Sequence, residues 1–175
     1  SADYFGFSVD LDSIRTRLCS LQSVKPSRLR LLLDSNGHYE VEEHRLPEVK
    51  PMVMLKLASR PVNSRDIFLF HKTTHRGVYE RARNDANHCD DVILWNEKNE
   101  ITETTIANLF LKIDGELVTP PIESGLLAGT YRRHMLENGQ VKEAIVSKSD
   151  LVKASRIYTA NSIRGLQEAR LVSVK

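Results

Sequence analysis

The sequence predicts a mixed architecture, α+β or α/β, in which short strands and amphipathic helices follow one another along the chain. Two residue pairs, Asn36-Gly37 and Asp114-Gly115, each lie between two strand-like segments. Because such pairs adopt the positive φ angles that a tight two-residue turn requires, each of them predicts a β-hairpin. Elsewhere, apolar residues recur at helical spacing, and the sequence contains no internal repeat or low-complexity segment.

The first third of the chain predicts one helix, the first hairpin and a further strand. Residues 12–21 carry apolar side chains at helical spacing, and Asp12 can cap the first turn. Residues 28–46 form the first predicted hairpin, and residues 53–59 are strand-like. A polar connector follows at 60–66.

The middle of the chain predicts alternating strands and helices. Residues 67–72 are typical of a short strand, residues 74–86 of a helix, and residues 90–97 of a buried strand. The second hairpin covers 107–121.

The last part predicts two helices and a strand. Residues 129–139 have helical spacing and end at Asn138-Gly139, a pair that favours the left-handed conformation in which many helices stop. Ser149 is the predicted cap of a short helix over 149–155, and residues 156–162 are the last predicted strand.

The composition argues against several classes of protein. With 175 residues, of which 41% are hydrophobic, the chain can bury a core but is short for two full domains. A formal charge of +2, from 25 basic and 23 acidic residues, is too balanced to indicate nucleic-acid binding. Cys19 and Cys89 lack the spacing of a disulfide framework or a zinc site, so we expect reduced thiols and no metal. The apolar runs are too short to span a membrane and no signal peptide is evident, which predicts a soluble, cytoplasmic protein without membrane contact.

Lys72 is the candidate catalytic residue because it lies between a predicted strand and a predicted helix. A lysine that forms a covalent bond with a carbonyl group must be neutral for part of its cycle, which burial or a cationic neighbour favours. Arg76, one helical turn later, is such a neighbour. The residues alone nevertheless favour a surface lysine at the start of a helix.

The segment 124–132, SGLLAGTYR, is a candidate phosphate site because a glycine-containing turn leads directly into a helix. Backbone N–H groups at a helix N-terminus bind phosphate, and those of Thr130 and Tyr131 are well placed. Gly129 would allow close approach of the backbone, and the Thr130 hydroxyl could add a contact. The alternative is an ordinary loop in which Thr130 only caps the helix.

Four segments together resemble the class IV pyridoxal-phosphate (PLP) enzymes, which have fold type IV. They are FLFHKTTHRGVYERAR at 68–83, EITETTIANLFLKIDGELVTPP at 100–121, SGLLAGTYR at 124–132 and YTANSIRG at 158–165. Within that group the segments are most similar to aminodeoxychorismate lyases, including those fused to the C-terminus of aminodeoxychorismate synthase.

The resemblance implies a role for each candidate residue. Lys72 would bind PLP covalently, and Glu103 would lie opposite the pyridine nitrogen and keep it protonated. The residues alone would instead make Glu103 a solvated loop residue. Thr105 and Asn108 would line or brace the site, either by contact with PLP or by holding the turn.

The remaining positions would hold the phosphate or the substrate. Ser162 resembles the hydroxyl residue that contacts the PLP phosphate, with Asn161 as its neighbour, although an Asn-Ser pair at a strand end by itself indicates only a turn. Arg76 and Arg164 are candidates for binding a substrate carboxylate.

The resemblance also implies two domains: residues 1–63 as the remnant of a truncated small N-terminal domain, and residues 64–175 as a larger mixed β-domain that binds PLP. The family normally begins with strands and an arginine segment of the type HxxRLxxSA that helps to hold the phosphate, whereas this chain begins SADYFGF. We therefore expect weakened PLP retention and unpaired strand edges. Whether the chain is a fragment, a truncated gene product or one piece of a larger protein stays open.

Three functions follow from these expectations. The first is a PLP-dependent lyase that converts 4-amino-4-deoxychorismate to 4-aminobenzoate and pyruvate in folate biosynthesis. The second is a class IV transaminase for branched-chain or D-amino acids, and the third is a catalytically silent interaction module. The resemblance implies a small-molecule substrate, a homodimer, and a synthase as a further partner or fusion.

Overall fold

The computed structural model describes residues 1–22, 25–85 and 88–172, which form two compact units, Ser1–Glu48 and Val49–Lys175. The division lies before the predicted domain boundary between residues 63 and 64. Strand pairing explains the difference, because the strand Val53–Leu57 pairs with two strands of the second unit.

The first unit contains the predicted helix and hairpin. Its elements are α1 (Ala2–Phe5), α2 (Leu11–Ser20), β1 (Ser27–Leu33) and β2 (Tyr39–Arg45), the strands pairing antiparallel. The predicted hairpin is confirmed and Gly37 has a φ of 87°, but Asn36 does not adopt a positive φ, so the turn is not the predicted two-residue type. The predicted cap of α2 is wrong by two residues: Asp10, not Asp12, accepts a hydrogen bond from the backbone N–H of Ser13 at 2.9 Å.

The second unit contains eight strands, three α-helices and two short 3₁₀ helices, Ile67–Leu69 and Ile122–Ser124, in its described residues. The strands and α-helices are β3 (Val53–Leu57), α3 (Gly77–Asn84), β4 (Asp91–Trp95), β5 (Ile101–Thr104), β6 (Asn108–Ile113), β7 (Glu116–Thr119), α4 (Thr130–Glu137), β8 (Lys142–Glu143), α5 (Lys148–Lys153), β9 (Arg156–Asn161) and β10 (Gly165–Leu171).

The strands form one sheet in the order β5-β4-β3-β10-β9-β6-β7-β8, and β5 also pairs with β6. Six strands therefore close into a ring, from which β7 and β8 extend. Alternation along β4 shows how the ring is packed: Ile93 joins the largest core cluster, whereas Val92 and Leu94 contact the cluster that includes Tyr79 of α3. A third cluster contains Phe110 of β6 and Met135 of α4.

The second hairpin and the end of α4 are as predicted. Asp114 and Gly115 have φ angles of 49° and 84°, and β6 pairs antiparallel with β7. The helix α4 ends at Glu137 with Asn138 as its C-cap, and Gly139 follows with a φ of 64°.

Two predictions of secondary structure are corrected. Residues 67–72 are not a strand: Ile67–Leu69 is a 3₁₀ turn, because the Asp66 carboxylate accepts from the backbone N–H of Phe68 and starts a turn. The strands β5, β8 and β10 are not predicted by the sequence. All four residues of β5 are buried, and the buried residues of β10 include the polar Gln167, so neither strand shows the alternation of apolar and polar residues by which a strand is predicted.

The cap of α5 is Ser147 rather than the predicted Ser149. The Ser147 hydroxyl accepts from the backbone N–H of Asp150, and the Asp150 carboxylate accepts from the backbone N–H of Ser147, which forms a capping box.

This cap gives a simple prediction. Replacing Ser147 with alanine should lower the free energy of unfolding by about 1 kcal/mol, the usual cost of losing an N-cap. Ser149→Ala is the matched control and should cost less than about 0.5 kcal/mol, because among the described residues the Ser149 hydroxyl bonds the Ser147 hydroxyl alone and does not cap the helix. Urea denaturation of both variants measures the difference, and equal losses would contradict this assignment of the cap.

Within the described residues, no helix has the length and apolar character needed to cross a bilayer. The same residues contain no cluster of three or more His, Cys, Asp or Glu side chains suited to a metal ion.

Candidate active site

Lys72 lies in the loop between the 3₁₀ turn and α3, not directly between a strand and a helix, and its side chain is exposed. The loop folds back on itself, since the rings of Phe68 and His75 stack with centroids 4.1 Å apart and the N–H of His75 donates to the Thr73 hydroxyl at 3.2 Å. Lys72 also lies close enough to Glu103 to act on its ionisation.

Glu103 is not a solvated loop residue: it lies on β5 and is only 4% exposed. Its Oε1 accepts hydrogen bonds from the Tyr79 hydroxyl at 2.9 Å and from the backbone N–H of Leu127 at 3.2 Å. Its Oε2 accepts a long contact from the Asn108 side-chain amide at 3.4 Å. Three different segments therefore hold one buried carboxyl group.

Burial raises the pKa of Glu103 from its ordinary 4.5 to about 8, and the hydrogen bonds from Tyr79 and Leu127 only partly oppose that effect. The positive charges of Lys72 and Arg76 oppose it further. Glu103 is therefore mostly neutral at pH 7, and a positive charge placed beside it would favour its ionised form.

Arg76 is the N-cap residue of α3, and its guanidinium group contacts two residues near Glu103. It donates to the backbone carbonyl of Thr105 and lies 4.5 Å from the ring centroid of Tyr79. Tyr79 was absent from the sequence prediction. The sequence could have indicated Tyr79, because it follows Arg76 by three residues in the predicted helix and so lies on the same face of α3.

Asn108 is the first residue of β6, pairs with Glu103 in register, and is 5% exposed. Its amide donates to the backbone carbonyl of Leu127 at 2.8 Å. A Cβ atom added to Gly129 would lie 2.1 Å from the Asn108 Oδ1, so only glycine fits at that position. Asn108 thus braces the segment that leads into α4.

Thr105 braces the turn between β5 and β6. Its backbone N–H and its hydroxyl both donate to the buried carboxylate of Asp91. The sequence left two roles open for Thr105, contact with PLP or holding the turn, and these contacts correspond to holding the turn.

The N-terminus of α4 offers backbone donors. The first hydrogen bond of its ladder runs from the N–H of Arg133 to the carbonyl of Gly129, so the N–H groups of Thr130 and Tyr131 lie outside the ladder. Gly129 is the N-cap residue, and within the described part of the chain no side-chain hydrogen bond caps the helix. Buried Arg132 anchors α4 by donating to the Pro120 carbonyl at 2.7 Å and pairing with Glu143.

The turn between β9 and β10 approaches the turn between β5 and β6. The Asn161 amide donates to the carbonyl of Ile106 at 3.1 Å, and its Oδ1 accepts from the backbone N–H groups of Ile163 and Arg164. Ser162 is exposed in this turn, and Arg164 is half-buried. Asn161 therefore joins the two turns.

These contacts give a prediction for pH. The unfolded chain releases the Glu103 proton near pH 4.5 and the folded chain holds it to about 8, so the folded state loses stability as the pH rises through that window. Glu103→Gln should remove this loss and make the cofactor-free chain more stable above pH 8, by up to about 1.4 kcal/mol for each unit of the shift. Urea unfolding from pH 5 to 9 is the measurement. Parallel curves for the two proteins would contradict it.

The comparisons with known proteins agree on a family. The model of the amino-transferase class IV family matches residues 1–172. A Schizosaccharomyces pombe protein provisionally named aminodeoxychorismate lyase is 35% identical over 109 residues, covering 58% of this chain and 47% of that protein. The aminodeoxychorismate lyase of Vibrio harveyi is 27% identical over 158 residues, covering 86% of this chain and 58% of that protein. This chain thus spans about half the length of these curated relatives.

A solved structure from Mesorhizobium loti is similar over a larger share of its length. That protein, provisionally named an amino-acid aminotransferase, matches with a TM-score of 0.91 and 35% identity. The match covers 98% of this chain and 86% of that one.

Proposed function

Because this chain belongs to the amino-transferase class IV family, we propose that it binds PLP at the site around Lys72 and Glu103. We further propose that it acts as a lyase on 4-amino-4-deoxychorismate, giving 4-aminobenzoate and pyruvate for folate biosynthesis. The observation that carries the PLP assignment is an exposed lysine within electrostatic reach of a buried carboxyl group. The lyase assignment is supported by the similarity to proteins named aminodeoxychorismate lyase.

The residues present fit PLP in their chemistry. Lys72 supplies an accessible amine, and the buried carboxyl of Glu103 becomes an anion most easily when a cationic ring lies beside it. The N–H groups of Thr130 and Tyr131, which lie outside the hydrogen-bond ladder of α4, suit a phosphate dianion, and Gly129 leaves the backbone there without a side chain.

Each residue then has a task. When bound, PLP supplies an electron sink for the electrons released at the amine-bearing carbon of the substrate. Lys72 would hold PLP through its amine until the substrate amine displaces it. The freed Lys72 amine would take the proton from the amine-bearing ring carbon and return a proton to the enol form of the departing pyruvate. Glu103 would balance the positive charge of the protonated ring nitrogen.

The other residues bind and orient. Thr130 and Tyr131 would donate backbone N–H groups to the phosphate, with the Ser162 hydroxyl as a further donor. Arg76 or Arg164 would bind a substrate carboxylate. Since aromatisation of the ring makes the elimination strongly downhill, orientation of the breaking bonds is the main requirement.

A transaminase is the second candidate function. The specific observation in its favour is the similarity to the Mesorhizobium loti protein, which covers more of both chains than the lyase matches do. The same lysine and carboxyl group would serve both reactions, so the substrate distinguishes them.

The test uses the purified chain incubated with PLP, reduced with borohydride and mapped by peptide analysis. A covalent label on Lys72 is the expected result. Pyruvate release from 4-amino-4-deoxychorismate without an amino acceptor would support the lyase, whereas amine transfer that depends on a keto acid would support the transaminase. Absence of any label would favour the interaction module instead.

The partners of the chain are proposed on the resemblance alone. We propose a homodimer in the cytoplasm and a synthase as partner or fusion. Sedimentation velocity of the purified chain, with and without an aminodeoxychorismate synthase, is the measurement.

A further inference from the structure

Tyr79 forms a buried pair with Glu103, and the proposed reaction as described above gives no task to Tyr79. The Tyr79 hydroxyl donates to the Glu103 Oε1 at 2.9 Å, and the two residues are 6% and 4% exposed. The ring of Tyr79 belongs to a core cluster with Val92 and Leu94 of β4. Packing therefore fixes the direction of the hydroxyl group.

Of the three hydrogen bonds to this carboxyl group, the one from the Tyr79 hydroxyl is the shortest, at 2.9 Å. The backbone N–H of Leu127 lies 3.2 Å away and the Asn108 amide 3.4 Å away. Asn108 also has a better acceptor, the Leu127 carbonyl, at 2.8 Å. Because hydrogen bonds to a charged group are stronger than neutral ones, the Tyr79 hydroxyl contributes most to stabilising an ionised Glu103.

Arg76 strengthens this donor. Its guanidinium group lies 4.5 Å from the centroid of the Tyr79 ring and is held there by the Thr105 carbonyl. A cation over the ring withdraws electron density from the phenol, which makes its O–H a better donor. Two other charged groups face the pair: Lys72 favours the anion of Glu103, and Asp66 acts on Tyr79 in the opposite sense to Arg76.

We propose that Tyr79, with Arg76 stacked on its ring, is a positioning residue that orients the Glu103 carboxyl group and stabilises its ionised form. In a site that binds PLP, Tyr79 then sets how strongly Glu103 stabilises a protonated ring nitrogen. This second statement rests on the proposed function, whereas the first concerns the cofactor-free chain alone.

The test is the pH dependence of unfolding in the cofactor-free chain. Tyr79→Phe keeps the ring and removes only the donor, so Glu103 holds its proton to a higher pH in the folded state. An acid whose pKa is higher in the folded state than in the unfolded state makes the folded state less stable as the pH rises. Between pH 6 and 9 the folding equilibrium constant of Tyr79→Phe should therefore fall about tenfold more than that of the natural protein. In the Glu103→Gln background the same substitution should add no dependence on pH.

Tyr158→Phe is the matched control, because Tyr158 packs in the cluster with Phe110 and Met135 and is not one of the three donors to Glu103 described above. Its unfolding curves should stay parallel to those of the natural protein at every pH. A uniform loss for Tyr79→Phe at all pH values, or the same loss in the Glu103→Gln background, would overturn the proposal, since a core tyrosine without a link to Glu103 behaves in that way.

A second readout uses PLP itself. Tyr79→Phe should raise the dissociation constant for PLP about tenfold at pH 8 and lower kcat while leaving KM for the substrate within about twofold. If the natural chain fails to bind PLP, the proposed function fails, but the unfolding experiment still decides the role of Tyr79. If PLP binds and Tyr79→Phe has the natural affinity and pH profile, the positioning role is overturned while the proposed function stands.

Discussion

The Lys72→Ala variant is expected to lose covalent attachment of PLP completely and to retain at most about 10⁻² to 10⁻⁴ of the lyase turnover. Both losses have one cause, since the same amine would hold PLP and move the proton during the reaction. Borohydride reduction with mass spectrometry of the labelled peptide, together with a pyruvate assay, measures them. The exposed Lys98, in the turn between β4 and β5, provides the control Lys98→Ala, which should label and turn over as the natural chain does.

Lys72→Arg separates the covalent role from the electrostatic one. Arginine keeps a positive charge near Glu103 but does not form the covalent bond to PLP, because its guanidinium stays protonated. It should therefore be as inactive as Lys72→Ala, while its unfolding should depend on pH as in the natural chain. Covalent label elsewhere with full turnover in either variant would contradict the assignment of Lys72.

Gly129→Ala should produce the second large effect, because the added methyl group would lie 2.1 Å from the Asn108 Oδ1. That distance is far below a van der Waals contact, so Asn108 or the start of α4 must move. We expect a loss of about 1 to 3 kcal/mol in the free energy of unfolding, the usual cost of overpacking. We also expect PLP to bind at least about tenfold more weakly, since the same backbone would hold its phosphate. Urea unfolding and equilibrium PLP titration are the measurements.

Two further variants make the Gly129 result specific. Gly77→Ala is the matched control: its added methyl group meets only the flexible end of Arg81 at 3.3 Å and lies in α3, where alanine is favoured, so stability should stay within about 1 kcal/mol. Asn108→Ala removes the atom that clashes, so the double variant Asn108→Ala/Gly129→Ala should be more stable than the sum of the two single losses. Simple additivity would show that the clash is not the cause.

The family and the mixed α/β fold predicted from the sequence are confirmed by the family match and by the similar solved structures. Local chemistry explains which elements were predictable. The turns at Gly37 and Gly115 and the stop at Gly139 depend on positive φ angles, which the sequence reveals directly. The strand predicted at 67–72 was wrong because the apolar residues of this segment are typical of a strand, whereas the Asp66 carboxylate bonds the backbone N–H of Phe68 and begins a 3₁₀ turn.

The candidate site was predictable only in part. The order of the motifs indicated Lys72 and Glu103, and the structure brings these two within electrostatic reach of each other. Burial of Glu103 depends on Tyr79 and Leu127, which are distant in sequence, so no local pattern reveals it. The roles of the predicted residues in binding PLP stay predictions.

The shortest strand pairing in the ring of six strands lies at the candidate site. Between β5 and β6 the paired register contains one residue pair, Glu103 with Asn108, whereas β6 and β9 pair over five residues. Opening of the ring at this place would separate the carboxyl group from its amide neighbour without unfolding the other strands. Amide hydrogen exchange around residues 103–108 should consequently be faster than in β9, and a ligand that contacts Glu103 should slow it. Binding at the candidate site could then be detected from the rate at which the pairing between β5 and β6 opens.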